Sequence, residues 1–223
     1  MSKINWGSLV DRQYETGVDR GVLYLFGETG VPWDGLISVD ETTVGGDVEI
    51  VYFDGVAQSV IVSNEDFSAS ISSFGTPEKM DLCLGFRSLA PGLIVPNQPR
   101  TYFNFTYRTL IGNAAVGTEY GYKIHLVYNA KTGSSGKSYK TLGSSTTSLD
   151  QTDLNIYCVP PDASTYKPTS HFILNSRTVD PYLLSSVEDI LYGTLSTDPR
   201  MPSQEELLLL FGSQVSETVI EPI

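Results

Sequence analysis

The side chains best suited to acid–base, nucleophilic or metal chemistry are two histidines, His125 and His171, and two cysteines, Cys83 and Cys158. A Ser-His-Asp site would need one of these histidines, but the chain has no G-x-S-x-G turn to present a serine. Metal sites usually place cysteines or histidines a few residues apart, whereas these four are widely separated. The sequence therefore predicts no catalytic residue and no metal ligand, and it leaves the pairing of the two cysteines open.

Two further patterns could indicate an enzyme, but neither is specific. Residues 136–138 (GKS) are similar to the end of a phosphate-binding loop, yet that motif needs a glycine five positions before Gly136, where the chain has Lys131. Adjacent carboxylates occur at 65–66 and 188–189, but an acidic chain supplies such pairs by chance, although glycosidases do use two carboxylates. We therefore expect no enzyme and no cofactor.

Alternating patterns predict two β-hairpins. Residues 48–62 contain two short β-rich runs around Asp54-Gly55, a pair that can supply the positive φ angles of a two-residue turn. Residues 101–128 contain two longer amphipathic strands, with Phe103, Phe105 and Tyr107 on one face of the first strand. Further strands are expected at 22–26, 36–39, 154–159 and 171–174.

The C-terminal part has helical signals. Asp180 and Pro181 begin a helix whose apolar stripe predicts docking onto another surface, and Gly193 ends it. Ser203 and Glu206 have capping-box spacing at the start of a second helix. The predicted organisation is an N-terminal arm at 1–20, a β domain at 21–178 with flexible loops at 87–99 and 131–152, and a C-terminal helical segment with an acidic tail at 179–223.

Composition and charge exclude some partners. The chain of 223 residues has a formal net charge of -12, which argues against a protein that grips nucleic-acid phosphates. From Asp180 onward there are eight acidic residues and one base, so this end carries a charge of -7. No apolar run is long enough to span a membrane and no signal peptide is evident. We expect a soluble protein without membrane insertion, made in a cytoplasm that keeps its thiols reduced.

Several segments together resemble the major tail protein of long-tailed, siphovirus-type bacteriophages, particularly those that infect actinobacteria. They are residues 14–41 (YETGVDRGVLYLFGETGVPWDGLISVDE), 101–113 (TYFNFTYRTLIGN), 119–130 (EYGYKIHLVYNA), 187–193 (VEDILYG) and 199–202 (PRMP). The resemblance covers nearly the whole chain, in the order of that family. It implies a tail-tube fold, mainly β and similar to a β-sandwich or β-barrel, with short helices and a helical C-terminal segment.

The resemblance also implies a function. Six copies of a tail-tube subunit form a ring around a β-barrel, and the rings stack into a tube that conducts double-stranded DNA from capsid to cell without specific binding. Implied partners are further copies of the chain and the tail terminator, distal tail and tape measure proteins. The implied location is the virion tail, after assembly in the host cytoplasm. Alternatives from other classes are a carbohydrate-binding β module, such as an adhesin, and a β-sandwich hydrolase.

Two sets of residues have expected roles in the tube, one in contacts between subunits and one at the lumen surface. Tyrosine and arginine are enriched at protein interfaces, and a run of apolar residues near a terminus needs a partner surface. The residues predicted for subunit contacts are Tyr14, Arg20, Tyr24, Trp33, Leu208 and Phe211. The polar positions of the two hairpins would line the lumen. The residues predicted to face it are Asp47, Glu49, Asn104, Thr106 and Lys123.

Overall fold

The computed structural model describes residues 12–133, 151–161 and 168–212. The protein is mainly β, with short helices and a helical C-terminal segment, as the sequence predicts. The first strands are β1 (Gln13–Leu25), β2 (Val31–Trp33), β3 (Leu36–Gly45), β4 (Val48–Phe53), β5 (Val56–Val62) and β6 (Glu65–Ser73). The later strands are β7 (Arg87–Ala90), β8 (Leu93–Val95), β9 (Phe103–Asn113), β10 (Gly117–Thr132), β11 (Thr152–Cys158) and β12 (His171–Asn175). The helices are α1 (Met80–Leu84), α2 (Pro181–Tyr192) and α3 (Gln204–Phe211).

In the described residues, eight strands form one antiparallel sheet. Its order is β2-β1-β9-β10-β11-β6-β3, and β12 pairs with β10 beside this path. The long strand β10 makes this branching possible, because residues 123–127 pair with β12 and residues 130–132 pair with β11. The pairs β4–β5 and β7–β8 are separate two-stranded ribbons.

The large sheet curls around an inner core, because β1 contacts β3 although the two strands lie near opposite ends of the strand order. Each of the seven strands from β2 to β3 in the sheet order contributes apolar side chains to this core, and α1 adds Met80, Cys83 and Leu84. Phe103, Phe105 and Tyr107 lie on the inner face of β9, as their alternation predicts. Curling lets a single sheet bury one face without a second sheet packed against it, which gives a barrel-like form of the kind that the resemblance implies.

A second core lies between the outer face of the sheet and the C-terminal helices. Leu184, Val187 and Leu191 of α2 and Leu207 of α3 pack there against side chains of β1, β10 and β12. The predicted docking helix is therefore confirmed. Its predicted start is confirmed as well, because Asp180 accepts hydrogen bonds from the first-turn backbone N–H groups and Pro181 follows it.

The structure corrects three predicted boundaries. Strand β1 begins at Gln13, which pairs with Asn113 of β9, so a strand occupies much of the expected arm at 1–20. Bulges around Gly17 and Arg20 break the alternation of this strand, so its sequence lacks a clear period of two. The expected loop at 87–99 contains the β7–β8 hairpin. The expected loop at 131–152 begins and ends in strands, and its residues 134–150 lie outside the described residues, as do 1–11 and 213–223.

Both cysteines are free thiols in the inner core. Burial raises the pKa of the Cys83 and Cys158 thiols to about 12, which keeps them protonated and unreactive at neutral pH. Among the described helices, none has the length and apolar character needed to cross a membrane.

Candidate functional site

The most exposed apolar feature of the described chain is the ribbon made by β4 and β5. It continues from β3 and β6, whose pairing ends at Gly45 opposite Glu65, and it resumes at Val48 opposite Val62. Gly45 and Gly46 have φ angles of +95° and +76°, so glycine provides the kink between the two sections. Two neighbouring strands of the curled sheet thus extend beyond it as one ribbon.

The tip of the ribbon has the predicted hairpin turn. Asp54 and Gly55 have φ angles of 51° and 77°, the positive values that a two-residue turn of this kind requires. This confirms the hairpin predicted at 48–62. At roughly 3.3 Å per residue, the six residues of β4 extend about 20 Å.

The ribbon carries large apolar side chains that remain exposed. Eight of them are between 46% and 63% exposed: Val48, Ile50, Tyr52, Phe53, Val56, Val60, Ile61 and Val62. On one face Val48 lies opposite Val62 and Ile50 lies opposite Val60, so aliphatic pairs continue across both strands. No residue of the ribbon belongs to either hydrophobic core of the described chain. Exposed apolar surface of this kind marks an interaction site.

The ribbon also has two open edges. In the described residues β4 and β5 pair only with each other. Each strand therefore has one side whose backbone N–H and C=O groups lack a ladder partner, and such an edge is a template for another strand. A lone two-stranded ribbon is at best marginally stable in water. Both the apolar faces and the edges favour association with further strands.

The ribbon lies in a segment that is acidic throughout. Between Arg20 and Lys79 the chain has no lysine or arginine. It has ten acidic residues there: Glu28, Asp34, Asp40, Glu41, Asp47, Glu49, Asp54, Glu65, Asp66 and Glu78. Residues 21–78 thus carry a formal charge of -10, which exceeds the -7 that follows from Asp180 onward. The acidity of the chain is therefore not confined to the C-terminal end.

A second polar site lies beside the root of the ribbon. Folding brings together Glu41 of β3, His125 of β10 and His171 of β12, one donor atom from each lying within 4.8 Å of the others. Nδ1 of His125 is 3.1 Å from Oε1 of Glu41 and 3.1 Å from Nε2 of His171. Sequence reasoning missed this cluster because its members come from distant strands, and no local spacing indicates it.

Neighbouring side chains hold the cluster in place. The Tyr107 hydroxyl donates a hydrogen bond of 2.5 Å to Oε1 of Glu41, and the Tyr107 ring stacks on His125 at 4.5 Å between centroids. The hydroxyl of Thr109 lies 3.0 Å from Nε2 of His125. On the other side, the ring of Phe67 packs against His171 at 4.2 Å.

The cluster shifts the acidity of its members. The hydrogen bond from His125 is the main reason that the pKa of Glu41 falls to about 2, and Tyr107 lowers it further. Burial lowers the pKa of His171 to about 4 because it disfavours the charged imidazole. At neutral pH the cluster therefore presents an ionised carboxylate beside a neutral imidazole of His171.

The sequence matches no protein-family model and no curated protein. Among solved structures, the chain is similar to the tube-terminating cap of an anti-feeding prophage, with 13% identity over 70% of this chain and 89% of that chain and a TM-score of 0.35. It is also similar to a chain of the PVC sheath–tube complex of an extracellular contractile injection system, with 16% identity, 70% and 88% coverage and a TM-score of 0.33. A chain of the sheath/tube terminator of that system has 14% identity, 72% and 97% coverage and a TM-score of 0.32.

The structure separates the residues predicted to face a lumen. Asp47 and Glu49 are exposed on the ribbon. Asn104 and Thr106 are only 9% and 0% exposed, so the prediction that these two side chains face a lumen is wrong in this structure. Helices α2 and α3 cover the outer face of the sheet, where these two residues lie. Polar side chains on this face can form hydrogen bonds within the chain. Asn104, for example, accepts a hydrogen bond of 2.9 Å from the backbone N–H of Asn129, where β10 bulges.

Lys123 and the neighbouring Arg108 are neutralised within the chain. Arg108 makes two hydrogen bonds to the carboxylate of Asp19, at 2.7 and 2.6 Å. This contact raises the pKa of the Arg108 guanidinium. Lys123 is half-buried and bonds to Glu15. Two acidic residues of β1 thus cancel the positive charges that the sequence places on the polar faces of the β9–β10 hairpin.

The residues predicted for subunit contacts fall into a buried group and an exposed group. Tyr24 and Trp33 are only 1% and 2% exposed, so their placement at a subunit surface is corrected. Tyr24 donates a hydrogen bond to the backbone carbonyl of Leu191 at 2.7 Å, and Trp33 donates to the carbonyl of Gly75 at 2.9 Å. Both aromatic side chains lie in the cores of the single chain. Aromatic residues are common in cores and at interfaces, so residue type alone does not show which role they have.

The other four residues predicted for contacts retain exposed surface. Tyr14 is exposed and lies against Gly112. Arg20 is exposed, with its guanidinium 5.8 Å from the ring centre of Tyr192. Leu208 and Phe211 are half-buried on α3, and Phe211 also packs against the outer core. These four side chains are therefore accessible to a second chain.

Proposed function

We propose that this chain is the structural subunit of a phage tail tube, in which hexameric rings stack into a conduit for double-stranded DNA. The observation that carries the proposal is the exposed apolar ribbon of β4 and β5, with its two open edges. The resemblance of the sequence to major tail proteins supports the same assignment. In this account the protein works by assembly and has no catalytic role.

The occupant of the ribbon is a second copy of the same chain. One ribbon supplies both the apolar face and the unpaired backbone groups that another ribbon needs, so identical chains can satisfy each other. Strands contributed by several subunits can close into a barrel, which removes every open edge. A head-to-tail contact that closes by rotation gives a ring, and stacking through other surfaces gives a tube.

Charge gives the reason that DNA could pass without being held. A surface binds DNA by placing lysine and arginine against phosphates and releasing counterions. The segment that contains the ribbon has no such residue between Arg20 and Lys79. With Asp47 and Glu49 towards the lumen, the wall repels phosphates, and charge reversal at either position would slow DNA ejection without preventing assembly.

Further contacts are part of the proposal. Tyr14, Arg20, Leu208 and Phe211 contribute to subunit contacts, since all four keep exposed surface. The ends of the tube bind the tail terminator and the distal tail protein, and the lumen holds the tape measure protein before ejection. The protein is assembled in the host cytoplasm and resides in the virion tail of a siphovirus-type phage, with an actinobacterial host.

The role of the ribbon can be tested by placing a charge on its apolar face. Ile50→Asp puts a carboxylate opposite Val60, where association would bury it, so we expect the variant to remain monomeric while the wild type forms large assemblies. Sedimentation velocity over a range of concentrations measures the difference. Circular dichroism should show the same strand content in both proteins, because the ribbon belongs to neither core.

A matched control is Leu195→Asp, which changes an equally apolar and fully exposed residue outside the ribbon. This variant should assemble like the wild type. Normal assembly of Ile50→Asp would contradict the proposal. So would equal loss of assembly in both variants, since that would assign the effect to charge in general and not to the ribbon.

A further inference from the structure

The cluster of Glu41, His125 and His171 stands on three strands of the curled sheet. His171 pairs with Val127 in the β10–β12 ladder, two positions from His125, so both imidazoles lie on one face of the sheet. Glu41 reaches them from β3, the strand that leads into the ribbon. The three side chains are 37%, 4% and 11% exposed in the order Glu41, His125, His171. A partly buried site with one open side results.

We propose that this cluster is a binding site for a divalent transition-metal ion of the Zn²⁺ type, with Glu41, His125 and His171 as its three protein ligands. Zinc bound by imidazole nitrogen and carboxylate oxygen has bond lengths of about 2.0–2.2 Å. In a tetrahedral site, neighbouring donor atoms are then about 3.3 Å apart. The two distances of 3.1 Å from Nδ1 of His125 are close to this spacing.

The hydrogen bonds around His125 and Glu41 are of the kind that a metal site needs. A histidine that binds a metal through one ring nitrogen usually donates a hydrogen bond from the other, and its carboxylate co-ligands are hydrogen-bonded too. Here Nε2 of His125 faces the Thr109 hydroxyl, and Glu41 accepts from Tyr107. Stacking of Tyr107 on His125 and packing of Phe67 on His171 fix the two rings. The ligands are thus oriented before an ion binds.

The open side of the cluster provides the fourth position. A surface pocket there is lined by Glu41, Thr42, Thr43, Phe67 and His171. It gives a metal ion access from solvent and leaves room for a water molecule as fourth ligand, the arrangement of zinc sites with three protein ligands.

Three metal-binding atoms meet at Nδ1 of His125. This nitrogen lies 3.1 Å from Oε1 of Glu41 and 3.1 Å from Nε2 of His171, and a single hydrogen on it can point at only one of these two atoms. A metal ion between them accepts a lone pair from each of the three atoms. Such an ion would fasten β3, and with it the root of the ribbon, to β10 and β12. The site stands whether or not the chain forms a tube.

Zinc titration of the purified full chain tests the site. After treatment with a chelator, the protein is titrated with Zn²⁺ in competition with a chromophoric indicator, and we expect one ion per chain. Binding to the native state raises Tm, by about 5 °C or more at a large excess of zinc over Kd. Co²⁺ in the same site should show the strong visible absorption of a tetrahedral ion.

The variants Glu41→Gln and His171→Gln each remove one ligand. Both should weaken zinc binding by more than the roughly 10–100-fold that follows loss of an outer-shell partner, and both should lose the rise in Tm. Asp40→Asn is the matched control, because it removes the same charge from the exposed neighbour of Glu41. It should bind zinc like the wild type.

The chain has only two histidines, so imidazole binding elsewhere cannot explain a positive result. Absence of saturable binding by the wild type would overturn the proposal. Equal affinity of the wild type and Glu41→Gln would do the same, and this variant decides the matter if His171→Gln does not fold. A Co²⁺ spectrum of octahedral type would contradict the proposed tetrahedral site of these three ligands and one water molecule.

Discussion

Thr106 and Glu49 are both polar residues of β-strands, but their surroundings are opposite. Thr106 is fully buried beneath the C-terminal helices, whereas Glu49 is exposed on the ribbon. A charged side chain at position 106 would be removed from water without an opposite charge beside it. Burial of an unpaired charge strongly destabilises a protein core. A charge at position 49 stays in solvent.

We therefore expect Thr106→Lys to lower the free energy of unfolding by about 3–5 kcal/mol. Glu49→Lys should change it by no more than about 0.5 kcal/mol. Urea denaturation followed by circular dichroism measures both values. Equal stability of the two variants would contradict the placement of Thr106 beneath the helices, and would restore the prediction that it faces a lumen.

Sequence reasoning succeeded at residues whose role is local. The turn at Asp54-Gly55, the cap at Asp180 and the inward face of Phe103 and Phe105 follow from spacing and residue type, and the structure confirms all of them. The burial of Tyr24 could not be predicted in this way, because it depends on α2, a helix that lies far along the chain. The cluster of Glu41 with two histidines is non-local for the same reason.

At the scale of elements, α2 joins the C-terminal segment to the sheet. Its apolar side chains form much of the outer core, and Leu191 adds a carbonyl that accepts the hydrogen bond from Tyr24. The helix begins where Asp180 accepts hydrogen bonds from the N–H groups of Tyr182 and Leu183, at 2.9 and 3.4 Å. Loss of that cap would weaken the first turn and, through it, the packing of the helix.

We predict that Asp180→Ala lowers the free energy of unfolding by about 1 kcal/mol, the usual effect of losing an N-cap side chain. Asp189→Ala removes the same charge from an exposed position near the other end of α2. It should cause no loss of stability, because an acid near a helix C-terminus interacts unfavourably with the helix dipole. Thermal unfolding of the two variants measures the contrast. A larger loss for Asp189→Ala would contradict the assigned role of the cap.

The ribbon is the second informative element. The sequence predicts its hairpin, but not that it extends beyond the curled sheet as a separate pair of strands. The reason is physical: alternation reports which residues share a face, and it does not report which strands lie beside them. On this ribbon apolar residues occupy both faces, a pattern typical of strands that are covered on both sides. In the described chain nothing supplies that cover.

At the scale of the whole molecule, the features agree with a subunit that is completed by assembly. Two cores stabilise the curled sheet and its helices, while the ribbon leaves apolar faces, open edges and an acidic, base-free surface to be used elsewhere. Positive charges on the β9–β10 hairpin are neutralised within the chain. A tube wall that passes DNA without holding it would have these properties.

Negative-stain electron microscopy of the purified full chain, over a range of protein concentrations, is the decisive test of whether the chain forms a tube. We expect hollow rings with sixfold symmetry that stack into tubes of uniform width as the concentration rises. Particles that remain monomeric at high concentration, or a finite oligomer without a central channel, would contradict this expectation. A finite oligomer would instead favour a carbohydrate-binding module.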